Sequence, residues 1–146
     1  MRPLLTVLLL ALTSTAFADP PVAGATVDSI EMAVDRSVIF EPAANGKLRI
    51  LKVIDKDRTV QLPRIAGQVA VAMSYNREGG TILEFNNGLP WNFDYDLRFV
   101  SSDGASVAPS YPVCTVGSER VGTEHWPQPY PTIVISRVRK ADRFSC

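Results

Sequence analysis

Apolar and polar residues alternate with a period of two along much of this chain. In "NFDYDLRFV", Phe93, Tyr95, Leu97 and Phe99 share one face and Asn92, Asp94, Asp96 and Arg98 the other, the pattern of a half-buried antiparallel strand. "VAVAMSYN" sets large Val69, Val71, Met73 and Tyr75 against small Ala70, Ala72, Ser74 and Asn76. No long stretch keeps helical spacing without glycine, proline or a β-branched run interrupting it.

Turn chemistry separates these runs. "REGG" stands between "VAVAMSYN" and "TILEF", and "SSDGAS" follows "NFDYDLRFV". Gly79-Gly80 and Asp103-Gly104 supply the positive φ that tight hairpins require. Upstream, "ATVDSIEM", "RSVIFEP", "KLRILKVI" and "TVQLP" predict further strands, parted by "PAANG" and "DKDR". Alternation slips within "LRILKVI", where Leu48 and Ile50 are in one phase and Leu51 and Val53 in the other, so a bulge or a strand buried on both faces is expected there. Strands about ten residues apart, about seven to nine in all, predict an all-β chain folded as an immunoglobulin-like antiparallel β-sandwich, with a small β-barrel as the alternative.

The N-terminus changes the setting. Arg2, an apolar run from Leu4 to Leu12 and the sequence Ala16-Phe17-Ala18 form a secretory signal with a small-x-small cleavage site. Residues 1–18 are therefore expected to be removed and residues 19–146 to fold as one domain, exported to the periplasm or beyond. The apolar run is shorter than the roughly 20 residues of a spanning helix. Export makes a disulfide between Cys114 and Cys146 the expected state of the two cysteines, against a free or intermolecular thiol at Cys146. Loss of Arg2 from 15 basic residues leaves 14 against 15 acids, which gives no electrostatic case for nucleic acid.

The stretch "YPVCTVGSERVGTEHWPQPYP" concentrates rare residues: one cysteine, the single histidine and one of two tryptophans. His125, with Ser118, Glu119 and Glu124 nearby in sequence, raises the possibility of a small secreted hydrolase. No G-x-S-x-G elbow accompanies it, and a histidine packed beside Trp126 is the plainer reading. Asp94 and Asp96, about 6.5 Å apart along one strand face, have a spacing that paired-carboxylate or calcium chemistry uses. A solvated strand face accounts for them equally. No His/Cys cluster suits zinc or copper, so no metal and no cofactor is expected. Arg137, Arg139, Lys140 and Arg143 against Asp142 make the C-terminal segment basic; on an edge strand such charge guards against sheet-to-sheet pairing.

If the chain from residue 69 onward runs up and down, the loops "NNGLPWN" and "TVGSERVGTEHWPQPYP" meet at one end. Trp91, His125, Trp126 and Tyr130 then gather there, either as a binding surface or as a plug over the core. Trp91 and Trp126 together would suit a carbohydrate-binding platform. In the same geometry a strand beginning at Thr132 carries the chain away from Cys114, so the last seven residues, reaching at most about 25 Å, must turn back sharply.

The segments "FNNGLPWNFDYDLRF" and "YPVC" with "EHWPQPYPTIVISRVR" resemble exported bacterial proteins, a resemblance that implies no activity and no site residues. The expectation is a non-enzymatic exported module that binds a protein or glycan of the cell envelope.

Overall fold

The computed structural model describes residues 20–57, 61–109 and 112–146. The expected signal segment, Asp19 and the first two residues of "TVQLP" lie outside them. Ten strands occur among the described residues: β1 Thr26–Val27, β2 Ser29–Ala33, β3 Arg36–Pro42, β4 Leu48–Asp55, β5 Val69–Tyr75, β6 Thr81–Asn87, β7 Phe93–Val100, β8 Ser106–Val107, β9 Val121–Trp126 and β10 Thr132–Lys140. They form two antiparallel sheets, in the orders β1-β4-β3-β5-β6-β9 and β2-β10-β7-β8. The architecture is a β-sandwich and not a closed barrel, as the alternation leads one to expect.

The core lies between the sheets and is built from the inward phases of the strands. Phe93, Tyr95, Leu97 and Phe99 of β7 are buried, opposite Val69, Val71 and Met73 of β5 and Leu83 and Phe85 of β6. The phase slip in β4 is a bulge. Ile39 of β3 pairs with Lys52 while Phe40 pairs with Ile50, which leaves Leu51 as the extra residue. Leu48 and Ile50 enter the main core on one side of the bulge and Val53 packs against it on the other, although their sequence phases differ.

Leu51 joins a second, smaller cluster with Ile39, Leu62, Ala70 and Ala72. This explains the small face of β5. Residues 61–68 form no strand, contrary to the expectation for the rest of "TVQLP". They run as a strap over the outside of the six-stranded sheet, with Leu62 packed on Ile39 and Ala70. Asn86 Nδ2 donates to the Leu62 carbonyl at 2.8 Å, and the Gly88 N–H donates to the Gln68 carbonyl at 2.8 Å. The strap comes so close that a Cβ on Gly88 would stand 1.9 Å from the Ile65 carbonyl oxygen.

The hairpin glycines divide their tasks. Gly79 and Gly104 adopt φ of 84° and 82°. Gly80 does not need positive φ; a side chain there would meet the Trp126 carbonyl oxygen at 2.6 Å.

Cys114 and Cys146 are bonded, with 32 residues of separation, a closure worth roughly 4 kcal/mol in loop entropy. No sharp return is required. β10 descends from Thr132, opposite Val100, to Lys140, opposite Phe93, and Val116 pairs with that same Phe93. The C-terminus and Cys114 thus arrive at one end together, where the Thr115 N–H donates to the Ser145 carbonyl at 2.8 Å.

Gly88→Ala is expected to destabilise the fold by about 3 kcal/mol, the upper part of the range for overpacking, because the obstacle is backbone that cannot change rotamer. Urea unfolding should show a lower midpoint at unchanged slope; an unchanged midpoint would mean that the strap yields.

Candidate functional site

β9 decides where the expected site residues lie. It pairs antiparallel with β6, Val121 opposite Asn86 and Trp126 opposite Thr81. It therefore starts at the Asn87 end of the sandwich and finishes at the Gly79-Gly80 turn. Trp91 stays at the Asn87 end, where its carbonyl accepts from Asn87 Nδ2 at 3.1 Å. His125, Trp126 and Tyr130 are at the opposite end, a strand's length away, roughly 16–20 Å. The gathering of all four residues at one end does not occur. The reason is that Val107 lies opposite Phe99 whereas Val116 lies opposite Phe93, so β9 starts from the end of the sandwich at which the loop was expected and carries the chain away from it.

Trp126 is 2 % exposed and packs edge-on against Phe99 at 4.9 Å between centroids, while Tyr130 stacks on the same Phe99 ring at 3.9 Å. These rings close the core. Buried Trp126 and distant Trp91 do not make a shared platform for a sugar. His125 faces outward beside Asn76, whose amide nitrogen is 2.7 Å from Nε2. Glu124 faces the other way, into the sandwich, and Ser118 and Glu119 precede β9 at its far end. The three partners proposed from sequence are thus not assembled around the imidazole.

Asp94 and Asp96 lie on the outer face of the four-stranded sheet as the alternation requires, and each has partners. The Thr115 hydroxyl donates to Asp94 Oδ1 at 2.6 Å. Arg137 Nε and Arg139 Nη1 reach the two oxygens of Asp96 at 2.6 and 2.9 Å. Both arginines face this way because β10 carries a bulge: Ser136 pairs with Asp96 and Arg139 with Asp94. Arg137 sits at the extra position with φ of 49°. β10 lies between β2 and β7, but β2 pairs only with Thr132 to Ser136, so Arg139 and Lys140 are paired with β7 alone and the basic stretch stands on a locally open border, in line with the sequence reading. Beside them, β7, β10 and Ala108, Pro109, Pro112 and Val113 border a groove of about 530 Å³.

A second cavity, of about 270 Å³, opens between the sheets beside the disulfide. Phe85, Tyr95, Val116, Glu124 and Phe144 are among its walls. Tyr95 is 2 % exposed, and its hydroxyl has no hydrogen-bond partner among the described residues. The half-buried Glu124 accepts from the Cys114 N–H at 2.6 Å. Burial pushes the Glu124 carboxyl up from its ordinary value, against the pull of that N–H. Burial also pushes the Tyr95 phenol up, and the Glu124 charge adds to this. Sequence reasoning treated Tyr95 as core and Glu124 only as a partner for His125. The available signal was phase, since a residue two positions from a buried Trp126 in a strand shares its inward face.

Among the described residues no group of three or more His, Cys, Asp and Glu is placed to hold a metal, and no helix is long and apolar enough to cross a membrane. Comparison with protein-family models, with curated proteins and with solved structures finds no significant match to this chain.

With Trp91 replaced by phenylalanine, the remaining Trp126 should emit at short wavelength and resist iodide quenching. Strong quenching would mean that the end is open. Glu124 yields a pH prediction. Its folded pKa is raised, so its contribution to stability is complete below the unfolded value and is lost as pH rises through the folded one. Glu124→Gln removes that loss. The stability of the variant relative to wild type should therefore grow as pH rises above the ordinary glutamate value of about 4.3, as read by urea unfolding; a difference that does not vary with pH would contradict the burial of the charge.

Proposed function

We propose that the protein is an exported, non-enzymatic binding or accessory module of the cell envelope, and that it meets its partner through the arginine-bearing outer face of the four-stranded sheet. The secretory pattern of residues 1–18 and the Cys114–Cys146 bond support export.

The observation that carries the binding surface is Arg137. A bulge position in the left-handed region suits glycine, and a side chain there costs about 1–2 kcal/mol. Arginine occupies it nonetheless, 80 % exposed at its side chain. Its ion pair does not offset that cost, since exposed pairs contribute about 0–1 kcal/mol. Such strain is characteristic of functional positions. Arg98, Arg137 and Arg139 stand on this face beside Asp94, Asp96 and Glu31, and the Arg137 and Arg139 side chains are 80 % and 55 % exposed, open to a partner. Guanidinium forks match carboxylate and phosphate, so the partner is an envelope protein or glycan bearing those groups.

Sedimentation of the purified protein with isolated peptidoglycan tests this. Arg137→Gly should raise stability by about 1 kcal/mol yet weaken co-sedimentation, and combining it with Arg139→Gln should reduce affinity by about tenfold, as loss of charge-assisted bonds does. Raised ionic strength should weaken wild-type binding in parallel. Binding unaffected by either change would remove this face from the proposal.

A further inference from the structure

We propose that the cavity between Tyr95 and Glu124 binds a small organic ammonium ion, with its cationic head against the Glu124 carboxylate and the Tyr95 hydroxyl and its apolar body against Phe85, Val116 and Phe144. This site is separate from the arginine face. It opens between the sheets, and its occupant carries the opposite charge to the partner proposed for that face.

Three observations converge on it. First, Tyr95 is a buried hydroxyl bonded to nothing among the described residues, a condition it shares with Trp126 Nε1, but of the two only Tyr95 lines this cavity. An unpaired buried hydroxyl is unfavourable, and phenylalanine would fill the same space without that cost. Secondly, Glu124 receives one hydrogen bond, from the Cys114 N–H on Oε1, although a carboxylate has about four acceptor positions. Thirdly, the walls are aromatic. The Phe85 and Tyr95 rings stand 4.8 Å apart at 55°, and Phe144 is 63 % exposed at the mouth.

A neutral hydroxyl compound would satisfy Tyr95 but leave the desolvated carboxylate without a counter-charge. An ammonium satisfies both: it donates to the carboxylate and to the phenol oxygen, and its charge is attracted to the ring faces. Arg120 also borders the cavity, from the bend that precedes β9; its side chain lies against Gly117, and among the described residues the Glu124 carboxylate accepts only from the Cys114 N–H. The volume is at the small end for ligand pockets, which limits the guest to a compact amine.

The test uses benzylammonium as probe and benzyl alcohol as its neutral isostere, titrated into the oxidised full chain and followed by amide chemical shifts of residues 95, 116 and 124. Saturable binding of benzylammonium is expected, with benzyl alcohol at least about tenfold weaker. Glu124→Gln should weaken the ammonium by about tenfold or more, and Tyr95→Phe by a few-fold, as lost hydrogen bonds to charge do. Tyr95→Phe should meanwhile melt at the same or a higher temperature, which separates loss of a ligand contact from loss of fold. Equal affinity for the alcohol, or unchanged affinity in both variants, would overturn the proposal. So would the absence of saturable shifts up to about 20 mM probe, beyond the weakest affinity of a formed site, a result that leaves the cavity to water.

Discussion

Val116 holds the two sheets in register with one another. Its backbone exchanges two hydrogen bonds with Phe93 of β7, at 2.9 and 3.0 Å, and its side chain fills the space over Gly122 of β9, where an added Cβ would come within 3.2 Å. One residue thus ties the inner strand of one sheet to the edge strand of the other. Because the chain reaches Val116 at the Phe93 end, β9 must run from there towards the Gly79-Gly80 turn. The direction of β9 then sets the placement of His125 and Trp126, the nearness of Cys114 to the C-terminus and the gap that remains between Tyr95 and Glu124.

Where a single strand carried its own signal, its sequence was sufficient. Residues 93–100 alternate cleanly because one side meets a core of Phe85 and Ile135 and the other meets solvent. The slip at Leu51 correctly marked a bulge, since no regular strand sends Ile50 and Val53 to the same side. The small face of β5 was visible as well, but its cause, a strap carrying Leu62, was not, because nothing local says that an irregular segment covers a sheet.

Long-range placement was far less legible. Consecutive strands pair as β5-β6 and β7-β8, but β6 and β7 belong to different sheets, and before β9 the chain has passed from Val107, opposite Phe99, to Val116, opposite Phe93. The up-and-down assumption therefore moved three aromatic residues to the wrong end. Likewise, the basic sequence of β10 is compatible with an edge or an interior position, and only the pairing shows that β10 is interior as far as Ser136 and bordered by β7 alone at Arg139 and Lys140. Tyr95 was indistinguishable from its core neighbours Phe93 and Leu97. What sets it apart is the lack of an acceptor or donor at its hydroxyl, a property of the assembled site.

The inward orientation of Glu124 has a further effect on how this molecule meets copies of itself. β9 is the last strand of its sheet, and such a border is a template on which another chain could lengthen the ladder. A carboxylate turned beneath that border depends on the adjoining opening for its contact with water. A chain docking along the strand would cover the opening and leave the charge stranded. The residue that leaves the sandwich imperfectly closed at this side thereby opposes its growth into a polymer.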